Sequence, residues 1–241
     1  MKKTLAISCV IAGLATGGSA ATLFSGSTSG TFNDPGVSYS CTYSTAGGNG
    51  VAWGESGSCP DYGGSDEHSR LFVQNYEFSE QITGHEKVQI GQIKWKNEPN
   101  PSSKTTDFYA GLNLALNIDS PTVASFNEFL WNFIDNTPNP TGDRILTYRW
   151  DDYGLDIPYL LSGSLRIDGF SFALVGNTSG ETWSESEYGS GLKFNWTNKE
   201  NNWSKLAIYA EVSQVPLPAA GWMLIAAVGG LGAMRRKRKA S

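Results

Sequence analysis

The chain has 241 residues and a formal net charge of −5, which is enough length for one domain with a sizeable core. Seven of the 18 basic residues lie in the two terminal segments, whereas all 23 acidic residues lie between them, so the central part carries a net charge of −12. Nucleic acid and anionic lipid surfaces are bound through clusters of Lys and Arg, and this acidic balance argues against both as partners.

The first 20 residues have the three parts of a secretory signal peptide. Two lysines at the start are followed by an apolar region from Leu5 to Ala15 and by the small residues Gly18-Ser19-Ala20. Cleavage after Ala20 and cleavage after Ala21 fit this pattern equally well. A lipoprotein signal built on Cys9 is disfavoured, because this cysteine comes before the apolar region is complete. We therefore expect the chain to be exported.

Two cysteines remain once the signal peptide is removed, Cys41 and Cys59. Neither belongs to a Cys-x-x-Cys motif, and an isolated pair in an oxidising compartment forms a disulfide more often than a metal site. We predict a Cys41–Cys59 disulfide, which would contribute about 3 kcal/mol by restricting the unfolded chain.

Residues 21–214 have the pattern of an all-β domain. Phe108 to Ile118 alternates completely between apolar and mixed positions, and Leu206 to Val212 does the same. The apolar phase shifts at Gly91 and at Asp168-Gly169, which indicates bulges. Many short strands separated by turn residues predict an antiparallel two-sheet β-sandwich, jelly-roll-like in organisation. The further predicted strands are 71–76, 88–95, 144–150, 165–175 and 192–196.

The segment from Phe126 to Ile134 fits two patterns. Its apolar residues fit a helical stripe, but Phe129, Trp131 and Phe133 also fit one face of a strand, with Asn and Glu facing out. Aromatic residues favour strands, and the Asn- and Pro-rich stretch that follows indicates a turn. We therefore predict a strand.

Three carboxylates flank Tyr153-Gly154 and could supply oxygen ligands to a structural Ca²⁺, namely Asp151, Asp152 and Asp156. They lack the complete pattern of a calcium-binding loop. A structural Ca²⁺ therefore stays a possibility, and no other cofactor is expected.

The sequence gives little support to catalysis. It contains neither a Gly-x-Ser-x-Gly nucleophile elbow nor a phosphate-binding glycine loop. Glycoside hydrolysis needs two carboxylates, and Glu77 with Glu80 or Glu185 with Glu187 could be proposed, but solvated charges are the better explanation in so acidic a protein. We predict that the protein is not an enzyme.

Tryptophan suggests an alternative function. A glycan-binding module would show an exposed aromatic platform beside Asn or Asp, and Trp183, Trp196 and Trp203 lie in polar surroundings. We nevertheless expect most of the Trp side chains to fill the core. A hydrolase, the less favoured alternative, would instead show a cleft with convergent carboxylates.

The last 27 residues form three consecutive elements. Val215-Pro216-Leu217-Pro218-Ala219 is followed by an apolar run, Ala220 to Met234, and then by Arg235-Arg236-Lys237-Arg238-Lys239. The run, predicted as an apolar helix, is close to the lower limit for crossing a bilayer, and basic residues after such a segment stay cytoplasmic. A plain C-terminal anchor is the alternative to a segment that is held briefly and then cut.

This tail resembles the VPLPA variant of the bacterial PEP-type C-terminal sorting signals. The resemblance implies an exosortase-type sorting protease as a partner, transient anchoring in the inner membrane, and release to the cell surface or extracellular matrix of a Gram-negative bacterium. Together with the independent pattern of the N-terminus, this divides the chain into a signal peptide (1–20), a β-sandwich domain (21–214) and a sorting signal (215–241).

The domain itself is similar to the choice-of-anchor K family. The resemblance rests on the order of several short elements: Ser29-Gly30-Thr31-Phe32, then Val51-Ala52-Trp53-Gly54, then Val88 to Trp95. The chain departs from the family at Lys94-Trp95-Lys96-Asn97 and in its two cysteines. The resemblance implies a surface-attached β domain without assigned catalytic residues. Our own expectation is a structural or adhesive role, with extracellular polysaccharide as a partner.

Overall fold

The computed structural model describes residues 21–37, 40–54, 68–99, 107–136, 143–149, 157–161, 164–176, 181–188 and 191–215. The strands are β1 Thr22–Phe32, β2 Ser40–Thr45, β3 Gly48–Trp53, β4 Ser69–Gln74, β5 Tyr76–Ile82, β6 His85–Asn97, β7 Phe108–Ser120, β8 Ala124–Asp135, β9 Asp143–Arg149, β10 Tyr159–Leu161, β11 Leu165–Leu174, β12 Thr182–Tyr188, β13 Gly191–Asn198 and β14 Asn202–Gln214.

These strands form two packed antiparallel sheets, which confirms the predicted β-sandwich. Sheet A has the order β12-β13-β9-β8-β7-β1-β5, and sheet B has the order β10-β11-β14-β6-β4-β3-β2. The chain moves repeatedly from one sheet to the other, so that β1 and β14, the first and last strands, lie in different sheets. Among the described residues, no helix is long and apolar enough to cross a membrane.

The core lies between the sheets and follows from the alternation of apolar residues. Leu112, Leu114 and Leu116 of β7 are fully buried, as is Ile208 of β14. Aromatic rings join the sheets, since Trp95 of sheet B packs edge-on against Trp196 of sheet A with ring centroids 5.3 Å apart. Such edge-to-face pairs add to the free energy gained from apolar burial.

Both predicted phase shifts are irregularities in strand register. The pairing of β11 with β14 shifts between Ile167 and Gly169, and the pairing of β14 with β6 shifts where Ile208 faces Gly91. The bulges let β14 keep its apolar face toward sheet A along its full length, because each absorbs one residue of a neighbouring strand.

The strand predicted around residues 126–134 is confirmed as β8, but the predicted facing of its side chains was wrong. Glu128 and Asn132 point into the sandwich together with Leu130, whereas Trp131 points outward. The short turn after β7 pairs Ile118 with Ala124 and so fixes the register. A shift of one residue would have reversed the two faces.

The two ends of the described domain meet at one end of the sandwich. The Gln214 side chain donates hydrogen bonds from Nε2 to the Ile82 carbonyl oxygen at 2.7 Å and to Thr22 Oγ1 at 3.5 Å. At the opposite end of the sandwich, Trp53 packs against Phe108 with ring centroids 5.6 Å apart. The start of β1 therefore lies beside the end of β14.

Candidate functional site

The outer face of β8 carries three aromatic residues at successive outward positions, Phe129, Trp131 and Phe133. The outward face of a sandwich strand is ordinarily polar, because it contacts water. In β8, two inward positions are polar, although Leu130 and Ile134 also point inward: Glu128 is 1% exposed and Asn132 is 3% exposed. Residues 128–133 of this strand therefore depart from the polarity of an ordinary sandwich strand.

The buried polar side chain of Asn132 is satisfied by hydrogen bonds. Its Nδ2 donates to the Ala110 carbonyl oxygen at 3.0 Å, and its Oδ1 accepts from the Thr147 hydroxyl at 2.7 Å. A buried amide with both partners costs little, whereas an unsatisfied one is expensive. These bonds stabilise the orientation of β8 that places its aromatic rings outside.

The outward rings of β8 join Tyr109 of β7 in one cluster, which we term the aromatic surface (Tyr109, Phe129, Trp131 and Phe133). Tyr109 is 55% exposed and Trp131 is 41% exposed. The Tyr109 ring lies 5.0 Å from that of Phe133 and 6.1 Å from that of Trp131, and Trp131 lies 5.2 Å from Phe129. Trp131 is nearly perpendicular to both Tyr109 and Phe129, so the surface presents ring faces and ring edges in alternation.

Gly111, near the start of β7, makes room for this arrangement. A Cβ at this position would lie only 2.9 Å from Cζ of Phe129 and 3.0 Å from Nδ2 of Asn33. The Phe129 ring and the Asn33 amide therefore both lie over the glycine, which shields the backbone as cross-strand aromatic residues do beside other sheet glycines. Any larger residue would displace one of them.

Amide groups border the aromatic surface on one side. The backbone N–H of Asn33 donates to the Gly111 carbonyl oxygen at 2.8 Å, which holds Asn33 in place, and Asn113 Nδ2 donates to Asn33 Oδ1 at 3.3 Å. Both amides keep free capacity for further hydrogen bonds. Exposed rings beside amides are the combination that the glycan-binding hypothesis requires.

The other side of the aromatic surface is formed by β9 and β13. Tyr148 lies directly across from Trp131, and Lys193 Nζ lies 5.8 Å from the centroid of the Tyr148 ring. Two outward positions further along the same strands, Arg144 forms an ion pair with Asp135. The aromatic surface is thus apolar at its centre and polar along its borders, which is the usual anatomy of a recognition surface.

The predicted tryptophan candidates have different environments. Trp196 is buried and donates from Nε1 to Ser204 Oγ at 2.7 Å, while Trp183 is partly buried and stacks on Phe194 at 5.1 Å. Only Trp203 of the three is largely exposed, at 44%. Most Trp side chains of the described part of the chain contribute to the core, as expected, and sequence reasoning missed Trp131.

Among the predicted site residues, Cys41 lies in β2 and is disulfide-bonded. Its predicted partner Cys59 lies outside the described residues, as do the candidate calcium ligands Asp151, Asp152 and Asp156. Within the described ranges, no group of three His, Cys, Asp or Glu side chains is placed to hold a metal.

The predicted sorting signal is described only at its first residue. Val215 donates its backbone N–H to the Ser164 carbonyl oxygen at 3.0 Å. The rest of the signal, residues 216–241, lies outside the described part of the chain.

The two proposed carboxylate pairs are placed differently on their strands. Glu77 and Glu80 are three residues apart in β5 and so point to opposite faces of the strand. Glu185 and Glu187 share one face of the outermost strand β12, where both are exposed.

Comparison of the chain with protein-family models, with curated proteins and with solved structures finds no match.

Proposed function

We propose that this chain is an exported bacterial β-sandwich that is sorted to the cell surface or extracellular matrix and has an adhesive role there. The aromatic surface is its binding site, and the ligand is a neutral stretch of extracellular polysaccharide. The resemblances to the choice-of-anchor K family and to VPLPA-type sorting signals support the destination. Catalysis is no part of the proposal.

The observation that carries this proposal is the outward orientation of Phe129, Trp131 and Phe133. Large aromatic rings exposed to water lose free energy that burial would supply, so a strand that turns them outward while burying Glu128 and Asn132 is not optimised for its own core. Pyranose rings have apolar C–H faces that stack on aromatic rings, and their hydroxyl groups match the amides of the border. The aromatic surface meets both requirements.

Binding can be tested with substitutions at matched positions. The Trp131→Ala variant is compared with Trp203→Ala, because both side chains are similarly exposed but lie on the outer faces of different sheets. The probes are neutral hexasaccharides, with cellohexaose and laminarihexaose as the first two, and the readout is isothermal titration calorimetry. We expect Trp131→Ala to weaken binding at least about tenfold, as loss of a central aromatic residue does at other interfaces.

The control variant should bind the neutral probe as the wild type does. Equal affinity of the Trp131→Ala and wild-type proteins would contradict the proposed site. If sedimentation instead shows a dimer that Trp131→Ala dissociates, the aromatic surface is an interface between two copies, and the glycan proposal falls.

The proposed destination needs a separate experiment. The full-length chain is expressed in a host that carries the sorting protease, and the product is weighed by intact mass spectrometry. We expect a chain that starts after Ala20 or Ala21 and ends between Val215 and Ala219. A product that retains Arg235 to Lys239 would show a stable membrane anchor and contradict sorting.

A further inference from the structure

The outer face of sheet B carries four cationic side chains on three neighbouring strands. In the strand register, Arg70 of β4 lies opposite Lys96 of β6, and Lys94 of β6 lies opposite Lys205 of β14. Neighbouring strands are about 4.8 Å apart, so these side chains form one continuous group, which we term the basic band (Arg70, Lys94, Lys96 and Lys205). Such a group is unexpected in a domain with a large excess of acidic residues.

The charges of the basic band are unevenly compensated. Lys96 Nζ lies 2.7 Å from Glu98 Oε1, but no ion pair of the described residues involves Lys94 or Lys205. Burial and the charge of Lys205 both lower the pKa of Lys94 below its ordinary value. Like charges directly across an antiparallel pair destabilise a sheet, and a bound anion would relieve that repulsion.

Aromatic rings flank the basic band on both sides. Trp203, which is largely exposed, lies opposite Lys96 on β14. On the other side, Phe72 lies opposite Lys94 and stacks on Tyr43, with ring centroids 6.2 Å apart and an interplanar angle of 15°. Cations between one exposed ring and a half-buried stacked pair match a polymer that alternates sugar faces with negative charges.

We propose that the basic band is a second binding site, which takes an acidic polysaccharide through the carboxylates of its uronic acid residues. Lys94 and Lys205 bind one carboxylate between them, and Trp203 stacks on a neighbouring sugar ring. A nucleic acid would need cations along a longer path than the four side chains of the basic band provide. This site lies on the sheet opposite the aromatic surface and does not depend on that surface binding anything.

The test uses the full chain and a defined probe. Binding of a galacturonic acid decamer is measured by calorimetry over a range of salt concentrations for the wild type and for Lys94→Gln/Lys205→Gln. The control is Lys87→Gln/Lys199→Gln, which removes the same charge from two exposed lysines outside the basic band. Near-ultraviolet circular dichroism shows that each variant is folded.

We expect the Lys94→Gln/Lys205→Gln variant to bind the decamer at least about tenfold more weakly, with a salt dependence lower by about 1 to 2 in the log–log slope. The control variant should keep wild-type affinity. Equal loss in both double variants would show that only net charge matters and would overturn the site. Tighter binding of a single-stranded DNA decamer than of the galacturonic acid decamer would overturn the ligand class.

The two aromatic variants separate this site from the proposed function. Trp203→Ala should weaken binding of the acidic decamer and leave cellohexaose binding unchanged, and Trp131→Ala should do the reverse. If only the Trp203→Ala effect is seen, the basic band is supported and the aromatic surface is not. If only the Trp131→Ala effect is seen, the reverse holds.

Discussion

The inward orientation of Asn132 can be tested by its bond to Thr147. Thr147→Val keeps the shape of the side chain but removes the hydroxyl that donates to Asn132 Oδ1 at 2.7 Å. Asn132 itself is only 3% exposed, so water cannot easily replace the lost donor. An unsatisfied buried acceptor costs about 1 to 3 kcal/mol. With a urea m-value of about 2 kcal/mol/M, a loss of this size moves the unfolding midpoint by roughly 0.5 to 1.5 M.

The complete experiment is a double-mutant cycle. Asn132→Leu alone leaves the Thr147 hydroxyl and the Ala110 carbonyl oxygen without their partner, and it should cost a similar amount. The double variant removes the polar pair and should be more stable than the sum of the two losses predicts, by about 1 to 2 kcal/mol. Strictly additive losses, or a Thr147→Val variant as stable as the wild type, would refute the inward orientation of this amide.

The stability of Trp131→Ala gives an independent check on the same orientation. For a half-exposed ring we expect a loss below about 2 kcal/mol, whereas Trp→Ala in a core costs about 3 to 5 kcal/mol. A loss in the upper range would place the aromatic residues of β8 inside the sandwich and would remove the basis of the aromatic surface.

Three further predictions concern stability. Gly48→Ala should lower the free energy of unfolding by at least about 2 kcal/mol in thermal melts, because φ is +147° and a Cβ would lie 2.0 Å from a carbonyl oxygen of β4. Cys41→Ser should cost about 3 kcal/mol in urea, and reduction of the wild type should cost as much. Burial alone would raise the pKa of Asp168, but interactions with Ser213 and Arg166 lower it. Its contribution is therefore complete above the ordinary value of 3.8 and lost as the pH falls through the lowered pKa, so Asp168→Asn should destabilise the protein at pH 6 and much less at pH 2.

The strands and bulges could be predicted from the sequence because their signals are local. The alternation in β7 and the phase shift near Gly91 need only a window of a few residues. The facing of β8 could not be predicted in this way. The three aromatic residues have more apolar surface than Leu130 and Ile134, so the local pattern favours the wrong face. Which face of β8 points into the core depends instead on the turn before β8 and on Thr147, which lies in the next strand.

The two candidate binding surfaces differ in how far they could be foreseen. Tyr109 lies on the mixed face of β7, opposite the apolar face, so the alternation of this strand alone indicates that its ring points to water. The basic band, in contrast, combines residues as distant in the sequence as Arg70 and Lys205, and only the strand register brings them together. No spacing in the sequence would have indicated it.

Because Thr22 and Gln214 lie together at one end of the sandwich, both ends of the domain are far from its two candidate binding surfaces. Lys205 precedes Gln214 by nine residues of one strand, so at about 3.3 Å per residue it lies roughly 30 Å from the point where the chain leaves the sheet. Tyr109 lies toward the same far end, beyond the last residue of β1. The proposed attachment through the segment after Val215 would therefore be at this end of the sandwich, and both candidate surfaces lie most of the length of the domain away from it. A polymer could bind either surface without approaching that proposed point of attachment.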